Sequence, residues 1–127
     1  MAEFSASLGI DYAFAQSIFS HCGRGLISGW LSQAAFHLKD DGALFATFIL
    51  GEIDFDGEGW VYPECVEFKL ETMAALAREA GLDFRILPWA HPRRQTWAVF
   101  SKAGYSNKLV DAGTISWNAL IAKAKAG

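Results

Sequence analysis

Apolar residues recur along this chain in two rhythms, one close to continuous and one with a helical period. The first continuous run is Ile10-Asp11-Tyr12-Ala13-Phe14, bounded by Gly9 and by Gln16-Ser17. It predicts a strand buried on both faces, as in a parallel sheet. Ser17 to Gly25 reads as a connecting loop. Ile27, Trp30, Leu31, Ala34 and Leu38 then fall on one stripe at i, i+3, i+4, i+7 and i+11. That spacing predicts an amphipathic helix, with Lys39 in its last turn and Asp40-Asp41-Gly42 as the turn that stops it.

Ala43 to Leu50 is apolar throughout except for Thr47. It predicts a strand covered on both sides. Gly51 to Pro63 is Gly-rich and acidic, hence a long loop, and Phe68 to Ala80 carries Leu70, Met73, Ala74, Ala77 and Ala80 at helical spacing. Gly81 is the expected left-handed stop. Strands follow at Leu82–Leu87 and Thr96–Ser101, with a loop from Trp89 to Gln95 between them. With so short a link the two should pair as an antiparallel hairpin. Gly104 breaks the last strand, and Thr114 can cap a final helix carrying Trp117, Leu120 and Ile121. The alternation of strands and helices predicts an α/β domain over residues 1–104, with parallel strands, an antiparallel C-terminal hairpin and an appended helical extension over 105–127.

Composition narrows the function. The 127 residues are 52% hydrophobic and 20% charged, a globular mixture, and the formal net charge is −3. Binders of nucleic acid and of anionic membranes normally present a basic face, so neither partner is expected. The longest apolar run is far below the ~20 residues of a membrane-spanning helix. Met1 to Ser7 has neither a basic segment nor an apolar one of the secretory kind. Two cysteines do not make a disulfide framework, so a reduced, cytoplasmic setting is the expectation.

Several segments, in order and in register, resemble the second half of class I S-adenosylmethionine-dependent methyltransferases. Ile10-Asp11-Tyr12-Ala13-Phe14-Ala15-Gln16-Ser17-Ile18-Phe19-Ser20-His21 is similar to that family's fourth-strand segment, Phe-Asp-x-x-x-x-x-Ser-Val-Phe-x-His. Leu38-Lys39-Asp40-Asp41-Gly42 resembles the turn reading Leu-Lys-Pro-Gly-Gly, and Leu44 to Phe48 the fifth strand. Leu76 to Phe84, with Ala80-Gly81-Leu82, resembles the next helix and strand, and His91 to Lys102 the closing hairpin. The likeness covers roughly residues 9–102. The family's Gly-rich cofactor turn and ribose-binding acid lie upstream of the segment matching Ile10. The expectation is therefore a Rossmann-like methyltransferase half-sheet, incomplete as a cofactor site by itself.

The resemblance implies a methyltransferase acting on a small molecule, with S-adenosylmethionine as cofactor once the fold is completed. It implies that Gln16 and Ser17 face the methionine part of the cofactor. His21 is the candidate catalytic residue, because an imidazole titrates near neutrality; the plain alternative is an exposed loop histidine. Phe19, Trp60, Tyr62 and Arg93 are the candidate substrate contacts. Trp60 and Tyr62 would line an apolar pocket or plug the sheet end, and Arg93 would meet an anionic group or sit in a solvated turn. The bare edge of the first strand predicts a homo-oligomer or a partner chain. The alternative function is a non-catalytic truncated remnant or an interaction module that pairs through that edge.

Three other motifs read more plainly. Gly23-Arg24-Gly25-Leu26-Ile27-Ser28 is a near miss to Gly-x-Gly-x-x-Gly. A serine at the third glycine obstructs close helix–strand packing. Glu52, Asp54, Asp56 and Gly57 open like a calcium loop, but Pro63 stands at the twelfth position, where the bidentate glutamate belongs; a solvated acidic loop is the expectation. Cys22 reads as a small packed thiol, His37 as a solvated histidine, and no Cys/His set has zinc spacing.

Overall fold

The structure is a computed structural model, and it describes residues 6–102. Strand β1 (Ile10–Ala15) leads through a 3-10 turn (Phe19–His21) to helix α1 (Arg24–His37) and the long strand β2 (Leu38–Leu50). Short strand β3 (Glu67–Phe68), helix α2 (Leu70–Glu79), β4 (Asp83–Leu87) and β5 (Thr96–Ser101) follow. The predicted break at Gly104 and the final helix at Thr114, Trp117, Leu120 and Ile121 lie outside the described residues.

The strands form one mixed sheet in the order β1-β2-β5-β4, with β3 pairing the far end of β2. β1 and β2 are parallel, while β5 runs antiparallel to both β2 and β4. The expected hairpin is present, and its second strand is an interior strand of the sheet. β1, β2 and β4 therefore end on the same side of the sheet, and that side gathers the loops described below.

Alternation along β2 and β5 builds two apolar layers. Leu44, Ala46 and Phe48 join Ala98 and Phe100 under Ile27 and Leu31 of α1 and Met73, Leu76 and Ala77 of α2. Ala43, Phe45, Trp97, Val99 and Leu87 form the other layer, with Trp89 stacked on Phe45 at 5.4 Å between centroids. β2 is buried from Gly42 to Phe48, as its composition predicts, but Leu50, expected to be covered as well, is half exposed.

Several expectations need correction. Leu38 closes no helical stripe; it is the buried first residue of β2. Trp30, expected on the same buried stripe, is partly exposed. Asp40-Asp41-Gly42 is no helix stop, but a bulge inside β2. There β1 advances from Ile10 to Tyr12 while β2 advances from Leu38 to Ala43. Gly42 lets the bulge lie against β1, since a Cβ there would sit 2.7 Å from the Ile10 carbonyl oxygen. Lys39 closes the bulge with an ion pair to Asp11 at 3.0 Å. Finally, β1 is not buried on both faces. Ala13 and Ala15 pack on the main core, whereas Tyr12 and Phe14 are 51% and 48% exposed. A continuous apolar run is compatible with one packed face and one partly open face, so composition alone could not separate the two.

α2 begins at Leu70 rather than Phe68, and Phe68 is the buried end of β3. Leu70 faces outward, and Leu76 takes the core position beside Met73. His37 is half-buried, and its Nδ1 accepts the Leu8 N–H at 3.1 Å.

Candidate functional site

Three loops meet at the carboxyl ends of β1, β2 and β4. The first leaves β1 at Gln16 and turns sharply at Ser17, whose φ of 58° lies in the left-handed region that most residues avoid. Ser17 is held there from below. Its N–H donates to Thr47 Oγ1 at 2.8 Å, and Thr47 Oγ1 donates to Gln95 Oε1 at 2.7 Å. Gln95 Nε2 in turn donates to Ser17 Oγ at 3.3 Å and to Ser20 Oγ at 3.4 Å. Thr47, Gln95 and Ser20 are buried. This polar ring ties the loop after β1 to the middle sheet strand and to the β4–β5 connection.

The second loop, after β2, folds back over the 3-10 turn. The Val61 N–H donates to the His21 carbonyl oxygen and the Val66 N–H to that of Ser20, each at 2.8 Å. The Gly23 N–H donates to the Gly59 carbonyl oxygen at 2.8 Å. A Cβ at Gly23 would lie 2.6 Å from the Gly57 carbonyl oxygen. The glycine is thus required by loop packing. Asp54 anchors the same loop to α2: it accepts from the Lys69 N–H at 2.8 Å, from Thr72 Oγ1 at 2.6 Å and from Arg24 Nη2 at 2.9 Å. These donors, the Lys69 N–H foremost, hold its carboxyl below the usual range.

These contacts place His21 beside Trp60 and Tyr62. The ring centroids are 5.4 and 5.0 Å from the imidazole, both edge-on, while Trp60 and Tyr62 are nearly parallel to each other. Trp60 is 51% exposed and Tyr62 65%, so neither is a core plug. His21 Nδ1 lies 2.7 Å from the Glu64 carbonyl oxygen. A carbonyl can only accept, so Nδ1 carries the proton. In the neutral ring Nε2 then keeps a free lone pair.

The remaining candidates separate. Phe19 is buried in the main core against Trp30 and Phe100, away from any ligand surface. Arg93 is exposed in the β4–β5 connection, at the same end of the sheet, and its N–H donates to His91 Nδ1 at 3.0 Å. Cys22 is buried, its thiol donates to the Ile18 carbonyl oxygen at 3.1 Å, and burial pushes its pKa up to about 11. It is a packed thiol, not a nucleophile. Among the described residues no group of three or more His, Cys, Asp or Glu is placed to hold a metal. A cleft of about 700 Å³ opens between the two limbs of the second loop, lined by Phe55, Val61 and Val66 with Asp56 and Glu67, and none of Gln16, Ser17 or His21 lines it.

Sequence reasoning missed Thr47, Gln95 and Ser20 as members of the site. Thr47 carried a signal, as the single polar residue in an otherwise apolar strand. Gln95 carried none, because its partners are distant in the chain.

No protein-family model matches the sequence, and no curated protein matches it. Solved structures do. An O-methyltransferase family protein from Burkholderia thailandensis superposes with a TM-score of 0.55 at 14% identity, over 80% of this chain and 32% of that one. A candidate O-methyltransferase from Nostoc punctiforme gives 0.56 at 12% identity, over 77% and 33%. LepI, in a complex with S-adenosylmethionine, gives 0.52 at 16% identity, over 78% and 29%. The chain spans about a third of the length of the structures it matches. At these identities the likeness is one of fold. The described residues thus share the fold of part of these O-methyltransferase structures, a mixed sheet with both of its described helices on one face.

Proposed function

We propose that this chain contributes the acceptor side of a small-molecule methyltransferase site, with His21 as general base. The observation that carries the reading is the His21 tautomer. Its Nδ1–H is committed to the Glu64 carbonyl oxygen, which leaves Nε2 to take a proton. It packs edge-on against two exposed aromatic rings at the end of the sheet where doubly wound folds bind ligands. Trp60 and Tyr62 supply flat apolar area for the acceptor, and Arg93 is available to an anionic substituent on it.

On this reading Gln16 and Ser17 would face the amino-acid end of S-adenosylmethionine, and the Ser17 hydroxyl supports it as a polar group at the end of β1. Nothing among the described residues corresponds to the Gly-rich turn or the ribose-binding acid. When bound, S-adenosylmethionine supplies an electrophilic methyl group on a sulfonium. His21 Nε2 would accept the proton of the acceptor's hydroxyl or amine as that atom becomes the nucleophile, then release it to solvent. Catalysis on this reading is chiefly alignment of donor and nucleophile.

A second reading is favoured by one observation, the half-exposed Tyr12 and Phe14 on β1, the outermost of the described strands on its side. In that reading the chain pairs through this edge with a copy of itself or with a partner chain. Titration calorimetry with S-adenosylmethionine and S-adenosylhomocysteine, combined with light scattering, separates the two. Sub-millimolar binding that survives in His21→Ala, with methyl transfer lost, supports the enzyme. Absence of heat from a stable dimer removes the stand-alone enzyme.

A further inference from the structure

The ring joining Ser17, Thr47 and Gln95 has a direction, and that direction decides what Ser17 offers to a ligand. A backbone N–H can only donate, so Thr47 Oγ1 accepts from Ser17 N–H. Thr47 Oγ1 gives its own proton to Gln95 Oε1 at 2.7 Å, the one acceptor it meets among the described residues, so Oε1 is the amide atom facing Thr47. The amide nitrogen Nε2 is left facing the two serines, and it has only protons to give. Ser17 Oγ is therefore an acceptor inside the ring. Its own proton has no acceptor among the described residues. Ser17 is half-buried, at the end of β1, on the ligand side of the sheet.

We propose that Gln95 is a positioning residue that fixes the Ser17 hydroxyl as an outward donor for an anionic oxygen, the carboxylate at the amino-acid end of the cofactor. This rests on the reading given above, in which the loop after β1 holds that end. Of the two charged groups there, the ammonium has only donors, so the carboxylate alone can accept from Ser17. The same ring holds Ser17 at positive φ, so the position of the oxygen and the orientation of its proton come from one buried structure. Gln95 enters from the β4–β5 connection, 78 residues away from Ser17 in the chain. The binding loop is thereby set by a strand pair that need not touch the ligand.

The test compares S-adenosylhomocysteine with 5′-methylthioadenosine, which lacks the amino-acid end, by calorimetry on the full chain. Variants are Ser17→Gly, Gln95→Met and, as the conservative change, Thr47→Ser. Expected is tighter binding of S-adenosylhomocysteine by the unmodified chain, with that preference reduced about tenfold in Ser17→Gly and Gln95→Met. Thr47→Ser keeps the relay and so keeps the preference. Methylthioadenosine affinity stays within about twofold in all three. Ser17→Gly removes the hydroxyl at a φ that suits glycine; if Gln95→Met does not fold, Ser17→Gly decides the point. An unchanged preference in Ser17→Gly overturns the proposal while leaving the cofactor reading intact. No binding of either ligand by the unmodified chain overturns the cofactor reading, and this proposal with it.

Discussion

Thr47→Val removes one oxygen and keeps the shape of the side chain. Thr47 is fully buried in the middle of the sheet and its hydroxyl serves two partners, the Ser17 N–H at 2.8 Å and Gln95 Oε1 at 2.7 Å. Valine leaves both unmatched. Each buried group without a partner costs about 1–3 kcal/mol. Ser17 is half-buried, so water recovers part of the first cost. The added methyl returns up to about 1 kcal/mol. The net expectation is a loss of about 2–4 kcal/mol, a large share of a typical ~5–15 kcal/mol stability. Urea unfolding followed by circular dichroism reads this as a midpoint lowered by at least about 1 M, at a slope of about 1–2 kcal/mol/M. Thr47→Ser keeps the hydroxyl and should lose only about 1 kcal/mol. Adding Gln95→Leu to Thr47→Val removes the orphaned carbonyl, so the double variant should lose less than the sum of the singles by about 1 kcal/mol or more. A Thr47→Val chain as stable as Thr47→Ser refutes the reasoning.

Gly42→Ala should destabilise by about 2 kcal/mol, read in the same urea assay, because its Cβ would lie 2.7 and 2.9 Å from two backbone carbonyl oxygens of β1. In the folded chain a thiol reagent at pH 8 should modify Cys65 quickly and Cys22 only on unfolding, since Cys65 is exposed and Cys22 is buried with a pKa near 11; two equally fast thiols would contradict this. Asp54, held below its ordinary range chiefly by the Lys69 N–H, contributes stability that is present above the unfolded value of about 3.9 and is lost as pH falls through the lower folded value. Asp54→Asn should therefore flatten the acid limb of the stability profile. His91 is lowered by burial and then by Arg93. Its contribution is present above about pH 6.5 and is lost as pH falls through the folded value, so His91→Gln should reduce the loss of stability on going below about pH 6.5 in thermal melts.

What could be read from the residues followed from local rules. Ala43 to Phe48 is apolar at every position but one, which suits a strand covered on both faces, and this stretch is buried throughout. Gly81, with φ of +79°, ends the second helix segment as its position requires. The order of strands and helices and the short link between Leu87 and Thr96 were enough for an α/β sheet with an antiparallel pair. Gln16 and Ser17 close the first apolar run, and His21 follows in the same loop. His21, Trp60 and Tyr62 were each singled out, but only the folded loop brings their rings together.

Tertiary structure alone decided three things. It turned Asp40-Asp41-Gly42 from a helix stop into a bulge, because β2 must stay paired with β1 across the extra residues. It sent Phe19 into the core, where Trp30 and Phe100 meet it. It also joined Thr47 and Gln95, 48 residues apart, into one polar ring beneath Ser17. Local sequence reports the preferences of a segment for a backbone shape and for burial. Which donor meets which acceptor depends on strand order and register, and those are settled only when the whole sheet assembles.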